Sequence, residues 1–105
     1  MAGMIVPGAD GIVVAWETAS EDGNAGFNLY RSVSVDDRGA QLNPALIPSR
    51  APGGQGASYD FLDATAVPGV GYYYTLEDVD LSGLRTAHGP VAFTLWRAYL
   101  PVLGR

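Results

Sequence analysis

No stretch of this chain keeps an apolar period of about 3.6 residues through three helical turns. Apolar side chains instead recur at every second position, in short runs between clusters of Gly, Pro, Asn and Asp. Gly11 to Thr18 reads G-I-V-V-A-W-E-T, with Ile12, Val14 and Trp16 on one face and β-branched residues throughout. Phe27 and Leu29 share a face in the next run, with Tyr30 on the opposite side. Ala57 to Asp63 alternates again, with Tyr59 and Phe61 pointing one way and Asp60 and Leu62 the other. In Gly71 to Asp80, Tyr72, Tyr74 and Leu76 share one face, and Tyr73, Thr75 and Glu77 the other. Side chains that alternate in this way belong to strands with one face on a core.

The punctuation between the runs fixes the count. Pro7-Gly8 closes a first run at Gly3 to Val6, and Ser20 to Gly26 is a polar loop. Asp36 to Gly39 is a turn, and Pro44 reduces Leu42 to Ile47 to an edge strand. Pro48 to Gly56 has loop composition, and Gly89-Pro90 places a break or bulge within Thr86 to Leu95. About seven short strands predict an all-β fold, with a β-sandwich as the leading architecture and a small barrel as the other. With 105 residues, 14 of them Gly and 7 Pro, the chain has room for one such domain. The expected division is a sandwich over residues 1–95 and an arm over residues 96–105.

Composition narrows the function classes. The formal charge is −5 and all six basic residues are Arg, so no cationic surplus exists to displace counterions from nucleic acid. Cys is absent, which removes disulfides, thiolate metal sites and Cys nucleophiles. The longest purely apolar run, Ile12 to Trp16, is far short of a membrane span. Met1 to Val6 carries no basic side chain and does not read as a secretory leader.

The chain resembles a fibronectin type III domain. Trp16 stands where that family places a Trp on its second strand, and Phe27, Leu29 and Tyr30 match its aromatic third strand. Tyr72, Tyr74, Leu76, Asp80 and Gly83 match the Tyr-x-Tyr sixth strand and the Asp-x-x-Gly turn after it. Asp78 departs from the pattern, where a small apolar residue is usual; a polar side chain there needs a partner and predicts an early end or bulge. The likeness is nearer to a bacterial subgroup of secreted and surface proteins. Its phrases W-E-T-A-S-E, G-F-N-L-Y-R-S, Y-Y-Y-x-L-E-D-V-D-x-x-G and H-G-P-V stand here at Trp16, Gly26, Tyr72 and His88. It spans roughly residues 9 to 95. The resemblance implies an all-β, immunoglobulin-like (fibronectin type III-like) β-sandwich of about seven strands, an extracellular or cell-surface location and an accessory role rather than catalysis.

Candidate chemistry is sparse. His88 is the only His, there is no G-x-S-x-G elbow beside Ser58 or Ser82, and its place next to Gly-Pro reads as structural. Glu77, Asp78 and Asp80, with Asp60 and Asp63 on a neighbouring strand, lack the D-x-D-x-D-G spacing of a calcium loop, as does Glu21 to Asn24. No catalytic residue, metal or cofactor is therefore expected. Arg31 follows Phe27 and Leu29 in phase, with Glu17 or Glu77 as its expected ionic partner. Tyr30 and Tyr73, both expected on the outer face, are candidate rings for stacking a glycan.

The strongest anomaly is W-R-A-Y-L-P-V-L-G-R at the carboxy end. Trp96, Tyr99, Leu100, Val102 and Leu103 form an apolar stretch beyond the last expected strand, and Pro101 opposes both helix and central strand. Such a ribbon requires cover, from its own sandwich or from a neighbouring copy. These residues are the expected partner-binding set. The expected function is a non-catalytic extracellular interaction module that self-assembles into a surface multimer or filament. The alternative is an accessory carbohydrate-binding module of a larger secreted enzyme.

Overall fold

The computed structural model describes residues 5–8, 11–50, 55–67 and 69–93. Every regular element among them is a strand. β1 is Ile5–Gly8, β2 Gly11–Glu17, β3 Asn24–Ser32, β4 Ala40–Gln41, β5 Ile47–Pro48, β6 Ser58–Asp63, β7 Tyr72–Asp80 and β8 Arg85–Phe93. They form two antiparallel sheets, one ordered β1-β2-β6 and the other β4-β3-β7-β8, with β5 pairing the same margin of β3 as β4. The all-β expectation holds. The strands number eight rather than seven, and the first runs to Gly8 instead of stopping at Val6.

Alternation explains how the sheets face each other. Ile12, Val14 and Trp16 of β2 and Tyr59 of β6 meet Phe27 and Leu29 of β3 and Tyr72, Tyr74 and Leu76 of β7 in one cluster. Tyr59 lies flat against Trp16, with ring centroids 5.4 Å apart, and Phe27 presents its edge to both rings. Such aromatic pairs add about 0.5–1.5 kcal/mol each beyond the area they bury.

The margin of β3 is where eight strands replace seven. Pro44 has no N–H, so the run from Leu42 to Ile47 cannot pair continuously. The Asn43 side chain fills the gap. Its Oδ1 accepts the Leu29 N–H at 2.8 Å, and its Nδ2 donates to the Asn28 side chain and the Ala45 carbonyl, each at 2.9 Å. One side chain thus replaces ladder bonds that a continuous strand would have made, and β4 and β5 remain as two short pieces on either side.

The expected irregularity at Gly89-Pro90 is present. Tyr74 pairs with Val91 and Leu76 with His88, so β8 carries an extra residue there, and Gly89 has φ +115°. Asp78 does not end β7 early, since the strand continues to Asp80. The Asp80 carboxylate then accepts the N–H groups of Ser82 and Leu84, each at 2.9 Å, and Gly83 takes φ +90° to close the hairpin.

Leu29 is fully buried between the sheets. Leu29→Ala should lower unfolding free energy by about 2–5 kcal/mol, read from urea denaturation.

Candidate functional site

Four carboxylates are buried among the described residues: Asp63, Glu21, Glu77 and Asp78. Asp63 ends β6 in phase with Tyr59 and Phe61, and is 2% exposed. Arg31 Nη1 donates to both its oxygens, at 2.8 and 2.9 Å, and the Tyr74 hydroxyl donates at 2.8 Å. The Arg31 guanidinium also lies 4.6 Å from the Tyr72 ring centre. Arg31 therefore pairs with Asp63 across the two sheets, not with Glu17 or Glu77. Glu17 is exposed on the smaller sheet, and Glu77 faces away from the core. Burial, and then the Asp63 carboxylate its hydroxyl faces, push the Tyr74 phenol far above its ordinary range.

Glu21 lies in the polar loop after β2, with no exposed surface. Thr18 and Ser49 donate to it at 2.5 Å, and the Tyr59 hydroxyl donates to the same carboxylate. Burial opposes its ionisation, but the hydrogen bonds from Ser49, Thr18 and Tyr59 outweigh it and hold the carboxyl below the usual range. Burial and the Glu21 contact together raise Tyr59.

Glu77 sits on the outer face of the larger sheet, yet is only 2% exposed. Its partners cover it. Asn28 donates at 3.0 Å, Tyr30 at 3.2 Å, Arg38 at 3.0 Å and Arg85 at 3.1 Å. Burial again works against the anion, and the bonds from Asn28, Tyr30 and Arg85 more than offset it, so Glu77 also titrates low. The Arg38 guanidinium rests 4.3 Å from the Tyr30 ring centre.

This cover alters the standing of the two candidate stacking rings. Tyr30 and Tyr73 share the outer face, on neighbouring strands. Tyr30 is 6% exposed beneath Arg38, so its ring is not offered to a ligand in this arrangement, whereas Tyr73 is half-buried. The acidic candidates also separate. Glu77 goes to its arginines, Asp78 contacts His88 Nε2 at 2.5 Å, Asp80 caps the hairpin and Asp63 meets Arg31. Among the described residues no group of three or more His, Asp or Glu side chains converges as a metal site would require. Ser82 donates to Asp80, and Ser58 lies on the other sheet against Glu17.

One concavity opens on the outer face beside these groups. It has a volume of about 180 Å³. Thr75 of β7 and Ala87, Gly89 and Pro90 of β8 line one side, and Val35 and Arg38 the other. Asp36 and Asp37 complete its rim. The wall that carries Val35 is the β3–β4 connection, which is tied internally. Ser32 Oγ accepts the Ser34 N–H, Ser34 Oγ accepts the Asp36 N–H, and Asp37 Oδ1 accepts the Gly39 N–H. The expected partner-binding residues Trp96, Tyr99, Leu100, Val102 and Leu103 lie outside the described residues.

Compared with family models, with curated proteins and with solved structures, the chain returns no match.

The buried acids fix the response to pH. Glu21 and Glu77 ionise more readily in the folded chain than unfolded. Their contribution is therefore present above the ordinary carboxylate range, near pH 4.5, and is lost as pH falls through their lower folded values. Tyr74 and Tyr59 hold their protons more tightly when folded, so stability also falls as pH rises past about 10, where the unfolded phenols ionise. Thermal unfolding followed by circular dichroism should show both declines. Glu21→Gln should be less stable at pH 7 and should flatten the acid limb.

Proposed function

We propose that this chain is a non-catalytic, fibronectin type III-like interaction module of a secreted or surface protein. On this reading it makes protein–protein contacts, chiefly with further copies of itself, through the arm at residues 96–105. The fold assignment is supported by the strand order, three strands against a larger sheet, joined as that family joins them. It is supported further by the quoted residues. Trp16 is in the core from β2, Tyr72, Tyr74 and Leu76 are in it from β7, and Asp80 and Gly83 close the following hairpin.

A single observation carries the proposed contact. Among the described residues the last pairing of the larger sheet is Phe93 opposite Tyr72, and the sequence then supplies Trp96, Tyr99, Leu100, Val102 and Leu103 with Arg97 as the only charge between them. The two sheets already bury an apolar cluster of their own, so this surplus calls for another surface. A head-to-tail contact of this type does not close on itself, and repetition of it builds a filament. An extracellular or surface location rests on the resemblance to the bacterial subgroup. The carbohydrate-binding alternative is weaker, because one of its two rings is covered by Arg38.

Light scattering tests the contact. The full chain should show a mass that rises with concentration. The triple substitution Trp96→Ser, Leu100→Ser, Leu103→Ser should return it to monomer with unchanged circular dichroism. An unaltered mass in that variant excludes the arm as the contact.

A further inference from the structure

We propose that the concavity between Val35 and Pro90 is the receptor for Trp96 of a neighbouring copy, with Arg97 of that copy held by the acidic rim. This rests on the reading that the arm associates between chains, and adds where it docks. The concavity is of a size for one large side chain, well below the about 300–1,000 Å³ of a small-molecule site. Its surfaces suit an aromatic ring. Val35 is 54% exposed on one side, and Ala87 and Pro90 are exposed on the other. Large aromatic side chains seated in small pockets are typical anchors of protein contacts.

Charge selects the same occupant. All 11 acidic side chains of the chain lie at or before Asp80, while two of its six arginines, Arg97 and Arg105, lie beyond residue 93. The arm is therefore basic and the sandwich acidic. Asp36 and Asp37 place anionic groups on the rim of the concavity. Arg38, the one cation of the rim, already spends its charge on Glu77. Next to Trp96 in sequence, Arg97 has a stem long enough to reach the rim while the indole is seated.

The direction of the chain bears on which copy docks. β8 runs from Arg85 to Phe93, so it passes the concavity at Ala87 to Pro90 before it ends. Trp96 of the same chain would have to double straight back along β8 to enter it, whereas an arm arriving from another copy needs no such reversal.

Sedimentation equilibrium on full-length chains tests the docking site. Val35→Arg and Asp36→Arg should each weaken association by about tenfold or more, the scale of one lost anchor or charge pair. Ala87→Arg, on the facing strand, replaces Val35→Arg if that variant fails to fold by circular dichroism. Arg97→Asp should weaken association similarly, and combining it with Asp36→Arg should restore it. A Val35→Arg copy mixed with a Trp96→Ser copy should form a heterodimer, since one retains the arm and the other the concavity. If Trp96→Ser abolishes association but both concavity variants associate like the parent chain, the docking site is wrong and the arm's role stands. If each variant alone and the mixture all stay monomeric while the parent chain associates, the arm of one copy does not seat in the concavity of the next and the docking site is wrong. If the parent chain is monomeric at every concentration, both the docking site and the arm contact fall.

Discussion

Asp63 has almost no contact with water, so its charge has to be met within the protein. The arrangement that meets it reaches across both sheets. The carboxylate stands at the end of β6, the guanidinium of Arg31 comes from β3 and the hydroxyl of Tyr74 from β7. Apolar packing between Trp16, Phe27 and Tyr59 draws the sheets together but tolerates small displacements, because dispersion has little direction. A charged hydrogen bond depends on both distance and direction and tolerates less. The ion pair therefore helps to fix where one sheet sits on the other. Removing Arg31 would leave the Asp63 carboxylate charged and buried, a loss of about 3–5 kcal/mol in comparable sites.

Glu21 and Glu77 repeat the same logic in different surroundings. Glu21 takes hydroxyl donors from the β2 end, the segment after β5 and β6. It thereby joins three stretches of chain that apolar contact alone would leave loosely tied. Glu77 gathers two arginines over an outer face that alternation alone would leave wet. As a result the larger sheet is buried on both sides along much of β3 and β7, with burial on its outer face coming from polar groups that satisfy one another.

The core was legible because period two carries it directly. Ile12, Val14, Trp16, Phe27, Leu29, Tyr72, Tyr74 and Leu76 all face inward as their spacing requires. Both members of the Arg31–Asp63 pair lie in phase with core positions, Arg31 with Phe27 and Leu29 and Asp63 with Tyr59 and Phe61, but the sequence reading used that phase only for Arg31 and expected Glu17 or Glu77 as its partner. Which acid met Arg31 depended on how the sheets face, and no pattern within one strand encodes that. Glu21 gave no signal, because its loop S-E-D-G-N looks solvated and two of its three hydroxyl donors lie 28 and 38 positions away. Tyr30 was placed on the correct face but misjudged as open, since its cover comes from Arg38, in a loop whose path the sequence leaves undefined. Asn43 was equally silent: an Asn beside Pro reads as a turn, not as a substitute for ladder bonds.

Proline stands at three of the four sheet margins. Pro7 is in β1, Pro44 interrupts the run between β4 and β5, and Pro90 sits in the bulge of β8. The fourth margin, β6, turns the charge of Asp60 outward. Among the described residues, backbone donors are thus missing or misaligned, or charge is turned outward, at each margin where another chain could pair strand against strand. Copies brought close together would be hindered from cross-β fusion, the route to amyloid.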